Sequence, residues 1–428
     1  MDSSVVISKS DKFVWILTAV LYACFSIMNT DPIWSSLSLI LITGIVAIIT
    51  AMKYGTKRLR FTSYHFDVLV FAAFFFISTL WSIKPSDAIE RGTTVIELCL
   101  CMSVFMWAFS NIHNSFLFLL KAIMYGGFVV TIYTFIFVGI SDIMFIVATG
   151  SRLESSFDNV NAIGLTCAIS LILSVFFLLE KKNWLIIFLD IPTIILLSAC
   201  GSRKAMLVTI LGCFAIYLFH NRSLNKVAFI FKILFSFILL FVIVHLLSEM
   251  TIFAGITGRM EGLIALITGS GEVDHSAQVR QDMVNLGISI FKDNPILGIG
   301  MGSAHVYTLK YIGHDCYLHN NYAEILADGG IVGAVLYYRI HLNIVKKLRN
   351  SSCLNTQEGV LVLILMFCLL VSDLGMVSFY SKLYYFFFMV FYIYINKKNE
   401  GKNIIHCSRR SEQRWSSDSY NELDKRIK

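Results

Sequence analysis

The stretch FLFLLKAIMYGGFVVTIYTFIFVG, residues 116–139, holds one charged side chain, Lys121. At ~1.5 Å of rise per residue, such a run makes a helix long enough to cross the ~30 Å hydrocarbon layer of a bilayer. Comparable runs recur on both sides of it, from Phe13 almost to Ile395. Reading each as a helix places spans near 13–29, 33–52, 65–82, 93–110, 116–139, 161–179, 184–199, 204–219, 227–248, 326–345, 358–376 and 383–395. The expected fold class is therefore an all-α polytopic membrane protein of about 12 transmembrane helices.

Composition agrees. Hydrophobic residues make up 57% of the 428-residue chain and charged residues 15%, against soluble domains that are about a quarter charged. The net charge of +7 would suggest nucleic acid in a soluble protein, but its placement has another explanation. With the N-terminus inside, the inside segments hold 22 Lys and Arg and the outside segments ten. That asymmetry is the positive-inside pattern, so no nucleic-acid partner is expected and membrane lipid is. Both termini are expected in the cytoplasm of a bacterium, the protein lying in its inner membrane. The first apolar run, Phe13 to Met28, follows Lys9 and Lys12 without a clear cleavage site and reads as an uncleaved span.

Residues 1–395 read as a single transmembrane domain. Within it, residues 249–325 form a large extracytoplasmic loop between the ninth and tenth spans, with short amphipathic helices at Ile252 to Leu266 and Val279 to Phe291 and a turn-rich stretch at Lys292 to Gly302. Residues 396–428 are a polar cytoplasmic tail. The ten cysteines are scattered, with no C-x-x-C pair, and there is no Asp-x-Asp. Neither a zinc site nor a metal clamp for a nucleotide sugar is expected, and no cofactor.

An extracytoplasmic reaction has no ATP or nucleotide sugar to hand, so its substrate must arrive activated. A lipid-pyrophosphate-linked sugar is such a substrate, and it calls for cations that hold the pyrophosphate as it leaves. Arg203 lies in ACGSRKA, residues 199–205, with Lys204 beside it at a turn between two spans. It reads either as an interfacial anchor or as an anion ligand supported by a hydroxyl and a helix N-terminus. Arg280 opens an amphipathic stretch and reads equally as a solvated charge. Arg152 precedes a span, and Glu154 offers it a structural salt bridge. Acceptor activation calls for a base, and His319 in YLHNNYAEILADGGIVG, residues 317–333, is the best placed; its neighbours Asn320, Asn321 and Tyr322 are candidate substrate contacts. His275, His305 and His314 read as structural.

The run His319-Asn320, nine residues, Gly330, two residues, Gly333 resembles the signature of the O-antigen ligase and Wzy polymerase superfamily. Residues 201–205, Arg280 upstream of FKDNPILGIG at 291–300, and Arg152 through Asn161 resemble it too, and the match covers roughly residues 150–345. The resemblance implies a metal-independent, inverting glycosyltransferase that uses an undecaprenyl-pyrophosphate-linked glycan on the periplasmic face. Arg203 and Arg280 would hold the pyrophosphate and His319 would act on the acceptor, with a chain-length regulator and a flippase as possible partners. The forms of the motifs favour an O-antigen polymerase, joining lipid-linked repeat units, over a ligase that hands the finished chain to lipid A-core. A secondary transporter is a further reading, kept open by the in-span acids Glu97, Asp190 and Asp373, although no internal repeat supports it.

Overall fold

In the computed structural model, the described residues are 8–28, 31–56, 60–112, 114–153, 159–181, 184–220, 231, 233, 235, 275–351 and 353–399. They form α-helices and short 3-10 turns joined by loops, with no strand among them. The chain runs through α1 (Lys9–Ile27), α2 (Pro32–Tyr54), α3 (Ser63–Ser78), α4 (Pro85–Asn111), α5 (Ser115–Val138), α6 (Ile140–Thr149), α7 (Val160–Lys181), α8 (Ile187–Ala199) and α9 (Arg203–Phe219). After the gap come α10 (His275–Asp293), α11 (Ala304–Ile312), α12 (Asn321–Asn350), α13 (Gln357–Ser372) and a last helix α14 over residues 382–399. The expected span 227–248, apart from three of its residues, and the stretch Ile252 to Leu266 lie outside the described residues, as does the tail from 400.

Seven of these helices are long and apolar enough to cross a membrane, and α3, α6 and α8 are shorter apolar helices. The protein is thus a polytopic membrane protein. Lipid-facing surface shows on α2, where Ile33, Trp34, Ile40, Leu41 and Ile48 are exposed along one side. With no hydrophobic drive between helices in lipid, close approach depends on small residues. A side chain at Gly126 of α5 would come within 2.6 Å of the Ala19 carbonyl of α1, and one at Gly127 would collide with Ser170 of α7. These glycines let three helices pack against each other.

The last helix is the centre of the bundle. Every residue from Tyr384 to Phe391 is fully buried. Its rings meet Tyr22 and Phe25 of α1, Tyr64 of α3, Phe116 of α5 and His341 of α12. A helix apolar on all sides belongs in such a position. The expected span 116–139 is followed by a separate short helix, α6, set off by Gly139 at φ 95°.

The amphipathic stretch at Val279 to Phe291 folds as part of α10, and residues 294–300 form a loop that docks against α12. That docking depends on a break in α12 at Gly330, with φ 60° and ψ −160°. The break turns carbonyls and amides outward, and the loop takes them up. Ile299 and Gly300 donate to the carbonyls of Ala327 and Asp328 at 3.0 Å each, while Ile331 and Val332 donate to Pro295 and Ile296 at 2.9 and 3.2 Å. A β-carbon at Gly330 would come within 2.4 Å of the Ile296 backbone. The FKDNPILGIG and Gly-x-x-Gly segments are two halves of one interlock.

Candidate functional site

The turn between α8 and α9 is built to expose cations. Gly201 takes φ 57°, a left-handed conformation that ends α8, and Ser202 caps α9 by accepting from the Ala205 amide at 3.4 Å. The cap leaves Arg203 and Lys204 in the first helical turn. Arg152 clamps this turn from outside: its Nε donates to the Cys200 carbonyl at 2.9 Å and its Nη2 to Asn161 Oδ1 at 3.0 Å. The Glu154 partner suggested by sequence lies outside the described residues.

Arg280 arrives from α10, and four cationic residues then surround one small cavity. Arg152, Arg203, Lys204 and Arg280 line it together with Asn161, Ser202 and two glycines, around about 30 Å³. Guanidinium groups favour phosphate oxygens, which suits a cavity lined by three arginines to an anionic ligand.

His319 stands beside this cluster. Its backbone is in the left-handed region at φ 55°, one of two such non-glycine residues among those described. Two contacts hold it there. The Leu318 amide donates to Glu324 Oε2 at 2.6 Å, and the Leu318 side chain fills the gap over Gly287 of α10, where a β-carbon would meet it at 2.6 Å. The ring packs on Tyr317, with centroids 4.3 Å apart. Burial, and then the charges of Arg280 and Lys204, push the His319 imidazole down to about 4. At neutral pH the ring is uncharged and one nitrogen can accept a proton.

The neighbours of His319 have structural engagements. Asn320 caps α12, accepting from the Ala323 amide at 3.0 Å. Asn321, fully buried, accepts from the Ser378 amide at 2.7 Å and donates to Tyr338 at 3.0 Å, fixing the segment ahead of α14. Tyr322 donates to the Leu370 carbonyl at 2.8 Å and stacks on Tyr338. Lys204 reaches toward the Gly375 carbonyl at 3.5 Å. The structure thus brings Arg152, Arg203, Lys204 and Arg280 to one cavity with His319 at its side, while Asn320, Asn321 and Tyr322 brace the histidine's helix.

Two further residues, Arg91 and Asp328, were not among the candidates from sequence. Arg91 of α4 lies over the Tyr380 ring at 4.6 Å and 3.9 Å from Glu324 Oε1. Asp328 accepts from the amides of Gly302 and Ala304 at 2.8 Å each. This group fastens the loop region to the bundle, and its Glu324 holds Leu318, the residue before His319. The only sequence signal was an acidic pair one helical turn apart in an apolar helix. His305, read as structural, bridges Asp87 and Asp315 at 2.7 and 2.6 Å. Among the described residues, no group of three His, Cys, Asp or Glu side chains could hold a metal.

No curated protein matches the chain. Residues 185–338 match the family described as O-antigen ligase, a segment running from the start of α8 past the break in α12. It contains Arg203, Lys204, Arg280 and His319, and the match supports the resemblance to the O-antigen ligase and polymerase superfamily.

Proposed function

We propose that this protein is an O-antigen polymerase, a membrane glycosyltransferase that joins undecaprenyl-pyrophosphate-linked repeat units on the periplasmic face of the inner membrane. The observation that carries the reading is the cavity shared by Arg152, Arg203, Lys204 and Arg280 beside an uncharged His319. The donor's pyrophosphate occupies the cationic cavity. His319 takes the proton from an acceptor hydroxyl, whose oxygen attacks the anomeric carbon from the face opposite the leaving group. One C–O bond forms, the bond to pyrophosphate breaks, and undecaprenyl pyrophosphate departs with its added charge held by the arginines. The cations supply the charge neutralisation that a metal supplies elsewhere, so the step runs without one.

The bound anion also prepares the base. Its charge cancels the field of Arg280 and Lys204, which raises the affinity of His319 for a proton only when donor is present. A ligase, handing the chain to lipid A-core, would use the same groups, and the family match is common to both.

The test is the surface-polysaccharide profile of a strain deleted for this gene and complemented with wild type, His319→Ala or Arg280→Lys. A polymerase gives a ladder with wild type and single repeats on lipid A-core with His319→Ala. Arg280→Lys should cut chain output about tenfold or more, since a lysine replaces a planar fork and forfeits a charge-assisted hydrogen bond worth about 1.5–3 kcal/mol. Bare core with long chains retained on undecaprenyl pyrophosphate would identify a ligase. A full ladder from His319→Ala at wild-type protein levels would remove the histidine from the chemistry.

A further inference from the structure

A second, larger chamber opens from the cationic cavity. It encloses about 420 Å³, within the range of sites for small organic ligands, and shares Asn161, Lys204 and Gly375 with its smaller neighbour. A ligand whose phosphates lie among the arginines continues naturally into it. Its lining is rich in hydroxyl and amide groups: Ser26, Ser36, Thr94, Asn159, Tyr317 and Ser381 all contribute. Ser26 and Thr94 are already paired, with Thr166 and the Glu90 carbonyl, but a polyprenyl tail would still desolvate the Lys382 ammonium, whereas a sugar oxygen can accept from it.

One cation stands in this chamber away from the arginines. Lys382, at the start of α14, donates to Ser35 Oγ at 2.9 Å and Ser36 Oγ at 3.1 Å. An ammonium has three donors, so the two serines orient it and leave one N–H for a ligand. Glu97 of α4 is within electrostatic reach of it but does not line the chamber. Lys382 is thus held as a directed donor.

We propose that this chamber is the subsite for the sugars next to the pyrophosphate of the lipid-linked glycan, and that Lys382, oriented by Ser35 and Ser36, donates to an oxygen on them. The inference rests on the proposed function, because it takes the neighbouring cavity as the pyrophosphate site. It assigns donor specificity to α2 and the start of α14, neither of which lies within residues 185–338.

The experiment measures binding to the full-length protein in lipid nanodiscs with two probes: undecaprenyl pyrophosphate without sugar, and the same lipid carrying the host's repeat unit. Lys382→Ala should weaken the glycan-bearing probe about tenfold, the loss of one charge-assisted hydrogen bond. Ser36→Leu, which narrows the chamber, should do the same. Both should bind the sugarless probe within about twofold of wild type, which also shows that they are folded. Equal weakening of both probes, or of neither, overturns the subsite while leaving the pyrophosphate site intact. If wild type fails to bind the sugarless probe, or Arg280→Ala binds it as tightly as wild type, the proposed function falls and the subsite with it.

Discussion

His319 is held in a backbone conformation that non-glycine residues rarely adopt, between a capping asparagine and a leucine anchored on Glu324 and over Gly287. That placement gives the imidazole its environment, and the environment gives a pH signature. Its proton affinity lies below the ordinary value of 6.5, at about 4, so between these values the unfolded chain binds more protons than the folded one. Stability from this group is therefore complete above about 6.5 and is lost as pH falls toward 4. For catalysis, the acid limb of kcat/KM reports the free enzyme and that of kcat the substrate complex. Since bound pyrophosphate cancels the charges of Arg280 and Lys204, the kcat limb should lie at higher pH than the kcat/KM limb. Arg280→Gln should move the kcat/KM limb upward as well, toward the kcat limb. Coincident limbs in wild type, measured over the pH range where the protein stays folded, would show that the cations do not act on the histidine. These residues were legible in the sequence because cations and histidines stand out at the ends of apolar runs. Arg91 was not, since its meaning comes from Glu324, more than 200 residues away, and only folding brings the two within 3.9 Å.

At the scale of elements, the glycine spacing of the family signature was visible but its purpose was not. The pattern Gly330 to Gly333 names a position in α12, whereas the group that requires it is the backbone of Ile296, on another segment. Gly55, which ends α2, provides a comparison within the same chain. Its torsions are also φ 60° and ψ −160°, yet a β-carbon there meets nothing within 4 Å. Gly55→Ala should therefore cost backbone strain alone, about 1–3 kcal/mol. Gly330→Ala should cost that strain and also displace the 294–300 loop, losing the hydrogen bonds that pin it to α12. The expected result is a larger fall in melting temperature for Gly330→Ala than for Gly55→Ala, with transferase activity lost in the first and retained in the second. Equal falls with activity retained in both would mean that the loop does not set the site. Two of the three in-span acids have local partners: Asp190 accepts from Ser174 at 2.6 Å, and Asp373 lies 3.4 Å from the Asn321 side-chain nitrogen, whereas Glu97 Oε1 is buried with no hydrogen-bond partner among the described residues. The two pairings tie helices together, which weakens the transporter reading that these acids had kept open.

For the whole molecule, hydropathy marked where helices run but not which of them lies at the centre. Residues 383–395 read as a short final span, and a single sequence cannot separate a helix buried in protein from one buried in lipid. The packing of α14 against α1, α3, α5 and α12 makes that distinction. It also explains why the segment ahead of α14 reaches the cavities, Gly375 lining both and Met376, Val377, Tyr380 and Ser381 the larger one. Sidedness is the property on which the chemistry depends, because an activated lipid-linked donor is needed only where nucleotide sugars are absent. The charge bias predicts the α2–α3 connection inside and α10 outside. Thr56 and Gln281 are both exposed, one in each region. With Cys316 replaced by serine, an impermeant maleimide should label Gln281→Cys in intact spheroplasts and should label Thr56→Cys only after permeabilisation. The opposite pattern would put Arg203, Arg280 and His319 on the cytoplasmic side, within reach of nucleotide-activated sugars, and the argument for a lipid-pyrophosphate donor would lose its premise.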